Sequence, residues 1–145
     1  MADTGYNWDA AWTPVDAAIV LTVAGTITDS SDALDLDGKA ACLISIDTDY
    51  SDHAKATAGL SIYILRETGD GSYESVAGGA WGFEMAFVQN SAANGARRRV
   101  FFLDASQYQK FKIHQIWGNT TGSAVATTQT DIKYATVPAA SAYAV

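Results

Sequence analysis

The residues best suited to chemistry in this sequence are aspartates gathered in two short segments. Seven of them form the set Asp29, Asp32, Asp35 and Asp37, followed by Asp47, Asp49 and Asp52. Calcium takes several carboxylate oxygens converging from one or two loops, but this spacing does not match the EF-hand loop, which needs a glycine at position 6 and a glutamate at position 12. We therefore predict solvated or partner-facing acids and no metal site.

A hydrolytic site is the next chemistry to consider. The chain has only two histidines, His53 in a predicted loop and His114 in a predicted strand, and no Gly-x-Ser-x-Gly segment to present a nucleophile. Sixteen acids leave a glycosidase-type carboxylate pair open on composition alone. Because nothing else supports catalysis, we predict that the protein is not an enzyme and has no cofactor. His114 is expected to be a packed strand residue.

Three consecutive bases, Arg97, Arg98 and Arg99, enter a predicted strand. Side chains alternate between the faces of a strand, so these three cannot all point the same way. At least one is expected to pair with a carboxylate of this chain or of a neighbour. In a chain of net charge −7 they make a poor nucleic-acid footprint, so a protein partner is favoured.

Aromatic residues mark both ends of the chain. Residues 1–17 are predicted to be an extended N-terminal arm that carries Tyr6, Trp8 and Trp12, with Pro14 opposing a regular strand. Residues 137–145 are predicted to be a small apolar C-terminal tail that carries Tyr143. Terminal segments order only when they are tied down, so the arm docks either on its own domain or on a partner. These aromatics are candidate partner-binding residues.

Another aromatic set offers a different function. Trp81, Trp117, Tyr63 and Tyr108 are candidates for a platform that stacks on sugar rings. Trp81 and Trp117, however, lie in register with apolar neighbours, which is the pattern of a buried face. We therefore favour core positions for both tryptophans.

Composition narrows the class of protein. Charged residues make up only 17% of the chain, and ten of its acids but one base fall within residues 1–52. The segment carrying those acids would repel an anionic polymer such as DNA.

Cys42 alternates with apolar neighbours and is predicted to be a buried strand thiol. No signal peptide or membrane span is recognisable, so secretion by a signal and a membrane partner are not expected.

Period-two alternation predicts an all-β fold. Strands are predicted at 18–28, 41–47, 60–68, 73–76, 81–88 and 97–103, with a turn at Asp70-Gly71 and a long hairpin over residues 108–134. Segment 29–38 is predicted to be a polar turn carrying two inward leucines. Seven or eight short strands without helical periodicity indicate a two-sheet antiparallel sandwich with jelly-roll connectivity over residues 18–136.

Three segments carry a family resemblance: 28–38 (TDSSDALDLDG), 59–73 (GLSIYILRETGDGSY) and 108–121 (YQKFKIHQIWGNTT). Together they resemble the small jelly-roll capsid cement, or decoration, proteins of tailed bacteriophages, especially short-tailed ones. The resemblance implies a virion structural protein on the capsid exterior that bridges major capsid subunits. It also implies contacts with other copies of itself, as a dimer or trimer at symmetry axes.

Two functions therefore follow from the sequence. The first is a phage cement protein, assembled in the host cytoplasm and bound to the major capsid protein. The alternative is a carbohydrate-binding β-sandwich module that recognises host glycans or a receptor. Exposure of Trp81, Trp117 or Tyr108 on a flat or concave face would favour the second.

Overall fold

The computed structural model describes residues 11–15, 19–21, 27–50, 60–85, 95–117 and 128–138 of the chain. Over these residues it forms ten β-strands in two sheets and no helix. Sheet I contains β1 (Thr13–Pro14), β2 (Ile19–Leu21), β5 (Lys39–Tyr50), β8 (Gly95–Asp104) and β10 (Thr128–Pro138). Sheet II contains β3 (Ile27–Ser30), β4 (Leu34–Asp35), β6 (Leu60–Arg66), β7 (Trp81–Met85) and β9 (Lys110–Trp117).

The strand order is that of a jelly roll. Sheet I runs β1-β10-β5-β8, with β2 also paired to β10, and sheet II runs β3-β9-β6-β7, with β4 also paired to β9. Every pairing is antiparallel. If β1 and β2 count as one edge strand and β3 and β4 as another, each layer has four strands, and every connection except that between β6 and β7 crosses from one layer to the other. The predicted antiparallel, jelly-roll-like sandwich is confirmed.

Ser31 joins β3 to β4 along the same side of β9. Its backbone N–H donates to Ile113 O at 2.9 Å, and its hydroxyl accepts from Ile113 N–H at 3.0 Å and donates to Asp32 O at 2.7 Å. The hydroxyl is buried, so these bonds satisfy a polar group that would otherwise be costly inside the fold. Segment 29–38 thus continues the sheet edge, and its Leu34 and Leu36 point inward as predicted.

The core lies between the two sheets. Ile44 and Ile46 of β5 face Ile62 and Ile64 of β6, with Phe111 of β9 beside them, and all five have no solvent exposure. Period-two alternation makes this possible, because every second residue of these strands is apolar. Burial of each such side chain contributes about 1.5–3 kcal/mol to folding.

The predicted hairpin over residues 108–134 is wrong. Its two strands exist as β9 and β10, but they lie in different sheets and do not pair with each other. β9 pairs with β3, β4 and β6, whereas β10 pairs with β1, β2 and β5. Alternation identifies a strand with one buried face but not its neighbour, and in a jelly roll consecutive strands often face each other across the core.

Other predicted elements also change. The single strand expected at 18–28 is two strands, β2 in sheet I and β3 in sheet II. The strand expected at 41–47 is longer at both ends, because β5 runs from Lys39 to Tyr50 and so includes Asp49 as well as Asp47. Pro14 does not prevent pairing: it lies in β1 at the edge of sheet I, where a missing N–H is tolerated. β10 ends at Pro138, so it includes the first two residues of the predicted tail.

The Asp70-Gly71 turn is confirmed, but the strand expected after it is not. Thr68 N–H donates to Ser72 O at 2.8 Å, and Gly71 has a φ of 83°, which suits glycine. Tyr73 makes only an isolated bridge with Glu67, and the backbone then turns again before β7. The glycine pair that follows favours turning over strand extension.

No helix in the described part of the chain is long and apolar enough to cross a membrane.

Candidate interaction surfaces

The outer face of β8 carries exposed apolar side chains. β8 lies at the edge of sheet I, and among the described strands it pairs only with β5. Leu103 points into the core, so Val100 and Phe102 point outward, where 50% and 46% of their surface is exposed. Large apolar residues grouped on an edge strand are typical of a protein–protein contact.

Sequence reasoning missed Val100 and Phe102. A signal was nevertheless present: the run Val100-Phe101-Phe102-Leu103 is apolar at four consecutive positions. Consecutive strand residues point to opposite faces, so such a run makes both faces of the strand apolar. One face packs toward the core, and the other places apolar side chains on the outer surface of sheet I.

Charged residues flank this apolar pair. Asp104 follows it in register, and hydrogen bonds from the side chain and backbone N–H of Ser106 lower the pKa of the Asp104 carboxyl. Arg98 precedes it and forms an ion pair with Asp47, the residue opposite it on β5. The outward residues of β8 therefore read basic, apolar, apolar, acidic.

Two of the three predicted arginines, Arg98 and Arg99, lie on opposite faces of β8, as strand geometry requires. Arg98 Nε donates to Asp47 Oδ2 at 3.0 Å, so the expectation that one of them pairs with a carboxylate is confirmed. The Arg99 guanidinium lies on the other side of β8, 4.0 Å from the ring centre of Phe83. Such a cation–π contact contributes about 0.5–1 kcal/mol at an exposed site. The side chain of Arg97 lies outside the described residues.

An aromatic cluster lies where the edges of the two sheets meet. Phe83 of β7 contacts Phe101 of β8 edge to face, with ring centres 5.0 Å apart, and Trp81 lies 5.7 Å and 5.9 Å from them. Trp81 is 46% exposed, so its predicted core position is wrong. It does point toward the inner side of sheet II, but β7 is an edge strand and no further described strand covers it. The side chain of Trp117 lies outside the described residues.

The opposite edge of sheet I also exposes an aromatic residue. Trp12 immediately precedes β1 and is 44% exposed. Val15 N–H donates to Ile132 O at 2.8 Å, which ties this part of the predicted arm to β10. Tyr6, Trp8 and Tyr143 lie outside the described residues, so their roles in partner binding stay predictions.

An open cleft of about 750 Å³ has a polar, charged lining. Arg66 Nη2 and Glu74 Oε1 are 2.6 Å apart, and Lys110 Nζ and Glu67 Oε1 are 3.1 Å apart. The hydrogen bond from Arg66 lowers the pKa of Glu74, and the hydrogen bond to Glu67 raises the pKa of Lys110. The Arg66 guanidinium also lies 5.8 Å from the ring centre of Tyr108. Asp35 and Asp37 also line the cleft, so its lining holds four acids and two bases, and it is acidic beyond the two ion pairs.

The sequence raised two kinds of chemical site, a metal site and a hydrolytic site, and the described residues can be compared with what each would need. Within the described segments, no three side chains of His, Cys, Asp or Glu converge as metal ligands would. His114 Nδ1 lies 2.6 Å from Ser30 Oγ on the outer side of sheet II, in a cross-strand pair of β9 and β3. A serine triad also needs an acid on the second imidazole nitrogen, and no described carboxylate holds that position.

Comparisons with known proteins give fold-level similarities only. No protein-family model matches the chain, and no curated protein sequence matches it. An arabinose-bound GH51 α-L-arabinofuranosidase structure aligns with 89% of this chain at 11% identity and a TM-score of 0.36, and this chain spans 23% of its length. The tobacco streak virus coat protein aligns with 89% of this chain at 14% identity and a TM-score of 0.29, over 87% of its own length. Both chains contain a region with a weak likeness to this sandwich.

Proposed function

We propose that this protein is a phage virion structural protein, a capsid cement or decoration protein that bridges major capsid subunits on the outside of the head. One observation carries the proposal. Sheet I exposes large apolar side chains at both of its edges, with Trp12 beside β1 and Val100 and Phe102 on β8. A protein with contact surfaces on two sides of one rigid layer is suited to hold two neighbours together.

The geometry of the sheet sets the separation of these surfaces. Strands in a sheet lie about 4.8 Å apart, so the outer strands β1 and β8 are separated by roughly 14 Å. Two weak contacts on one rigid body bind with high avidity when their geometry permits both to form at once. Many copies on a repeating shell would multiply that gain. This is the mechanism that we assign to the cement function.

The partner at the β1 edge is, in this proposal, the major capsid protein. The predicted arm adds Tyr6 and Trp8 to Trp12, and aromatic residues are enriched among the strongest contacts of interfaces. Asp32, Asp35 and Asp37 are exposed and would steer the approach to basic capsid surface. No nucleic-acid, membrane or catalytic role is part of this proposal.

Particle binding tests the proposal. Cementless heads would be incubated with the wild-type protein, with Trp12→Ala, and with Gln107→Ala as an exposed control in the turn after β8. We expect Trp12→Ala to lower occupancy and the temperature at which the particles release DNA, and Gln107→Ala to match wild type. If wild-type protein fails to bind the heads, or if a variant lacking residues 1–17 binds and protects them as well as wild type, the proposal is wrong.

A second candidate is the carbohydrate-binding module, favoured by the exposure of Trp81. This residue is 46% exposed, and aromatic faces stack on the apolar faces of sugar rings. The test is tryptophan fluorescence during titration with a glycan panel, comparing wild type with Trp81→Phe and with Trp12→Phe as the matched control. A glycan response that Trp81→Phe alone removes would support this function, and an unchanged spectrum would contradict it.

A further inference from the structure

We infer that β8 is a self-pairing strand: two copies of this chain join their β8 strands antiparallel about a twofold axis, so that sheet I continues across the dimer. The inference rests on the proposed function only in placing this dimer on a shell. The contact itself follows from the residues of β8.

β8 offers the backbone for such a pairing. It is ten residues long, and its side away from β5 has no partner among the described strands. The N–H and C=O groups along that side need hydrogen bonds from water or from another strand. A long edge strand with exposed apolar side chains is a template for a further strand unless charges or irregularity protect it. Addition of a strand at an edge is an established mode of protein recognition.

The outward side chains of β8 are complementary to themselves when the strand is reversed. In order they are Arg98, Val100, Phe102 and Asp104. With Phe101 on the twofold axis, Arg98 of one copy opposes Asp104 of the other, and Val100 opposes Phe102. A twofold interface forms each contact twice, so one register gives two ion pairs around four apolar side chains. Opposite charges and apolar pairs placed directly across two strands both stabilise a sheet.

The neighbouring register is less favourable, which makes the inference specific. With Val100 on the axis, Arg98 would oppose Phe102, and Asp104 would oppose Ala96 and lose its basic partner. The charges at the two ends of the apolar pair therefore select the register centred on Phe101. Arg98 already binds Asp47, but a guanidinium has five N–H donors and can bind a second carboxylate.

Burial also favours a second copy over solvent. Val100 and Phe102 are about half exposed, and Leu43, opposite Phe102 on β5, is partly exposed on the same face. Pairing would cover this surface with the equivalent apolar surface of the other copy. A strand of another protein could bind the same edge, but a second copy of this chain brings the complementary order of charges and apolar groups by itself.

The first experiment measures mass in solution without any capsid. Sedimentation equilibrium of the wild-type chain is expected to give a monomer–dimer equilibrium, and Asp104→Lys is expected to weaken it at least about tenfold, because like charges then face each other. Arg98→Glu should weaken it similarly. An equimolar mixture of the two variants should recover the wild-type affinity, because in each mixed dimer positions 98 and 104 again oppose each other with opposite charges. Gln107→Ala is the control that should leave the equilibrium unchanged.

The second experiment tests the register and does not depend on Arg98, whose replacement disturbs the pair with Asp47. Val100→Cys and Phe102→Cys chains are mixed under mild oxidation. We expect a disulfide between the two different variants and little between copies of Val100→Cys alone, while buried Cys42 does not react. Circular dichroism checks that each variant is folded.

Several results would overturn the inference. They are a wild-type chain that stays monomeric at all concentrations, a dimer indifferent to Asp104→Lys, or cross-linking of Val100→Cys with itself rather than with Phe102→Cys. If the chain is a monomer and its binding to heads still requires Val100 and Phe102, then β8 contacts the capsid protein and not a second copy. That last result contradicts self-pairing while leaving the cement function intact, whereas a dimer that fails to bind heads does the reverse.

Discussion

Tyr63 and Gly82 face each other across β6 and β7, and the tyrosine ring occupies the space that a side chain at position 82 would need. A Cβ atom placed on Gly82 would lie 2.4 Å from Tyr63 Cδ1 and 2.5 Å from the backbone oxygen of Ile62. An aromatic ring that covers a cross-strand glycine in this way shields the exposed backbone of an edge strand.

Gly82→Ala is therefore expected to destabilise the protein. The new methyl group must displace both the Tyr63 ring and the backbone of β6, and overpacking of this kind costs about 1–3 kcal/mol. Urea denaturation of wild type and variant measures the difference in free energy of unfolding. The double variant Tyr63→Ala/Gly82→Ala separates the two contacts. If Gly82→Ala is harmless in the presence of Tyr63, the close packing described here is wrong.

Gln115 is expected to weaken the core in which it lies. Its side chain is 1% exposed, and Oε1 accepts no hydrogen bond within the described part of the chain. An unsatisfied buried acceptor costs about 1–3 kcal/mol, so Gln115→Met should raise the free energy of unfolding by about that amount. Thermal denaturation is the measurement, and Gln115→Glu is the matched variant expected to be less stable than wild type. A fall in stability with methionine would mean that Oε1 has a partner.

Cys42 is expected to be chemically inert while the protein is folded. The thiol is fully buried, and burial raises its pKa to about 12, so almost no reactive thiolate forms near neutral pH. Labelling with iodoacetamide under mildly alkaline conditions, followed by mass spectrometry, should give unmodified protein in the native state and one adduct in denaturant. The rate of native labelling then reports opening of the sandwich. Rapid labelling of the folded chain would contradict the burial.

The ion pair between Arg66 and Glu74 predicts a small pH dependence of stability. Arg66 lowers the pKa of Glu74 below its ordinary value of 4.5, so the pair stabilises the fold above that pH. The contribution is lost as the pH falls through the lower folded-state pKa, because the carboxyl then becomes neutral. Both side chains are partly exposed, which limits the effect to about 0–1 kcal/mol.

Glu74→Gln measures this contribution. Its destabilisation relative to wild type should be present at neutral pH and vanish in acid, when followed by urea denaturation at a series of pH values. Gln109→Ala, an exposed substitution in the same cleft, should show no such trend. A difference that grows on acidification would have the wrong sign for a carboxylate stabilised by Arg66.

The fold class could be predicted from the sequence, because the alternation of apolar and polar residues shows which side of each strand is buried. Leu60, Ile62 and Ile64 are apolar at every second position, and all three are fully buried on one side of β6. Which strands pair with each other could not be predicted, because the partner of a strand depends on contacts between residues distant in the sequence. The neighbours β9 and β10 read as a hairpin, although each finds its partners elsewhere.

The residues of the candidate interaction surfaces could be predicted from the sequence only in part. Trp12 and Arg98 were identified by type, since an aromatic near a terminus and a run of bases stand out in a chain of low charge. The prediction that Trp81 is buried was wrong. Trp81 does lie on the inward side of its strand, but only the strand order shows that this strand is at the edge of its sheet. Val100 and Phe102 needed the same knowledge, because only the strand order shows that β8 lies at the edge of sheet I.

The position of β10 in sheet I has a kinetic consequence. β1, β2 and β5 all depend on this last described strand, and Thr13 pairs with Tyr134. During synthesis β5 emerges long before β10, so the backbone N–H and C=O groups on that side of β5 stay without their strand partner until β10 is made. Folds dominated by such distant pairings form in milliseconds to seconds rather than microseconds. At high protein concentration, misassembly therefore competes with folding during this interval.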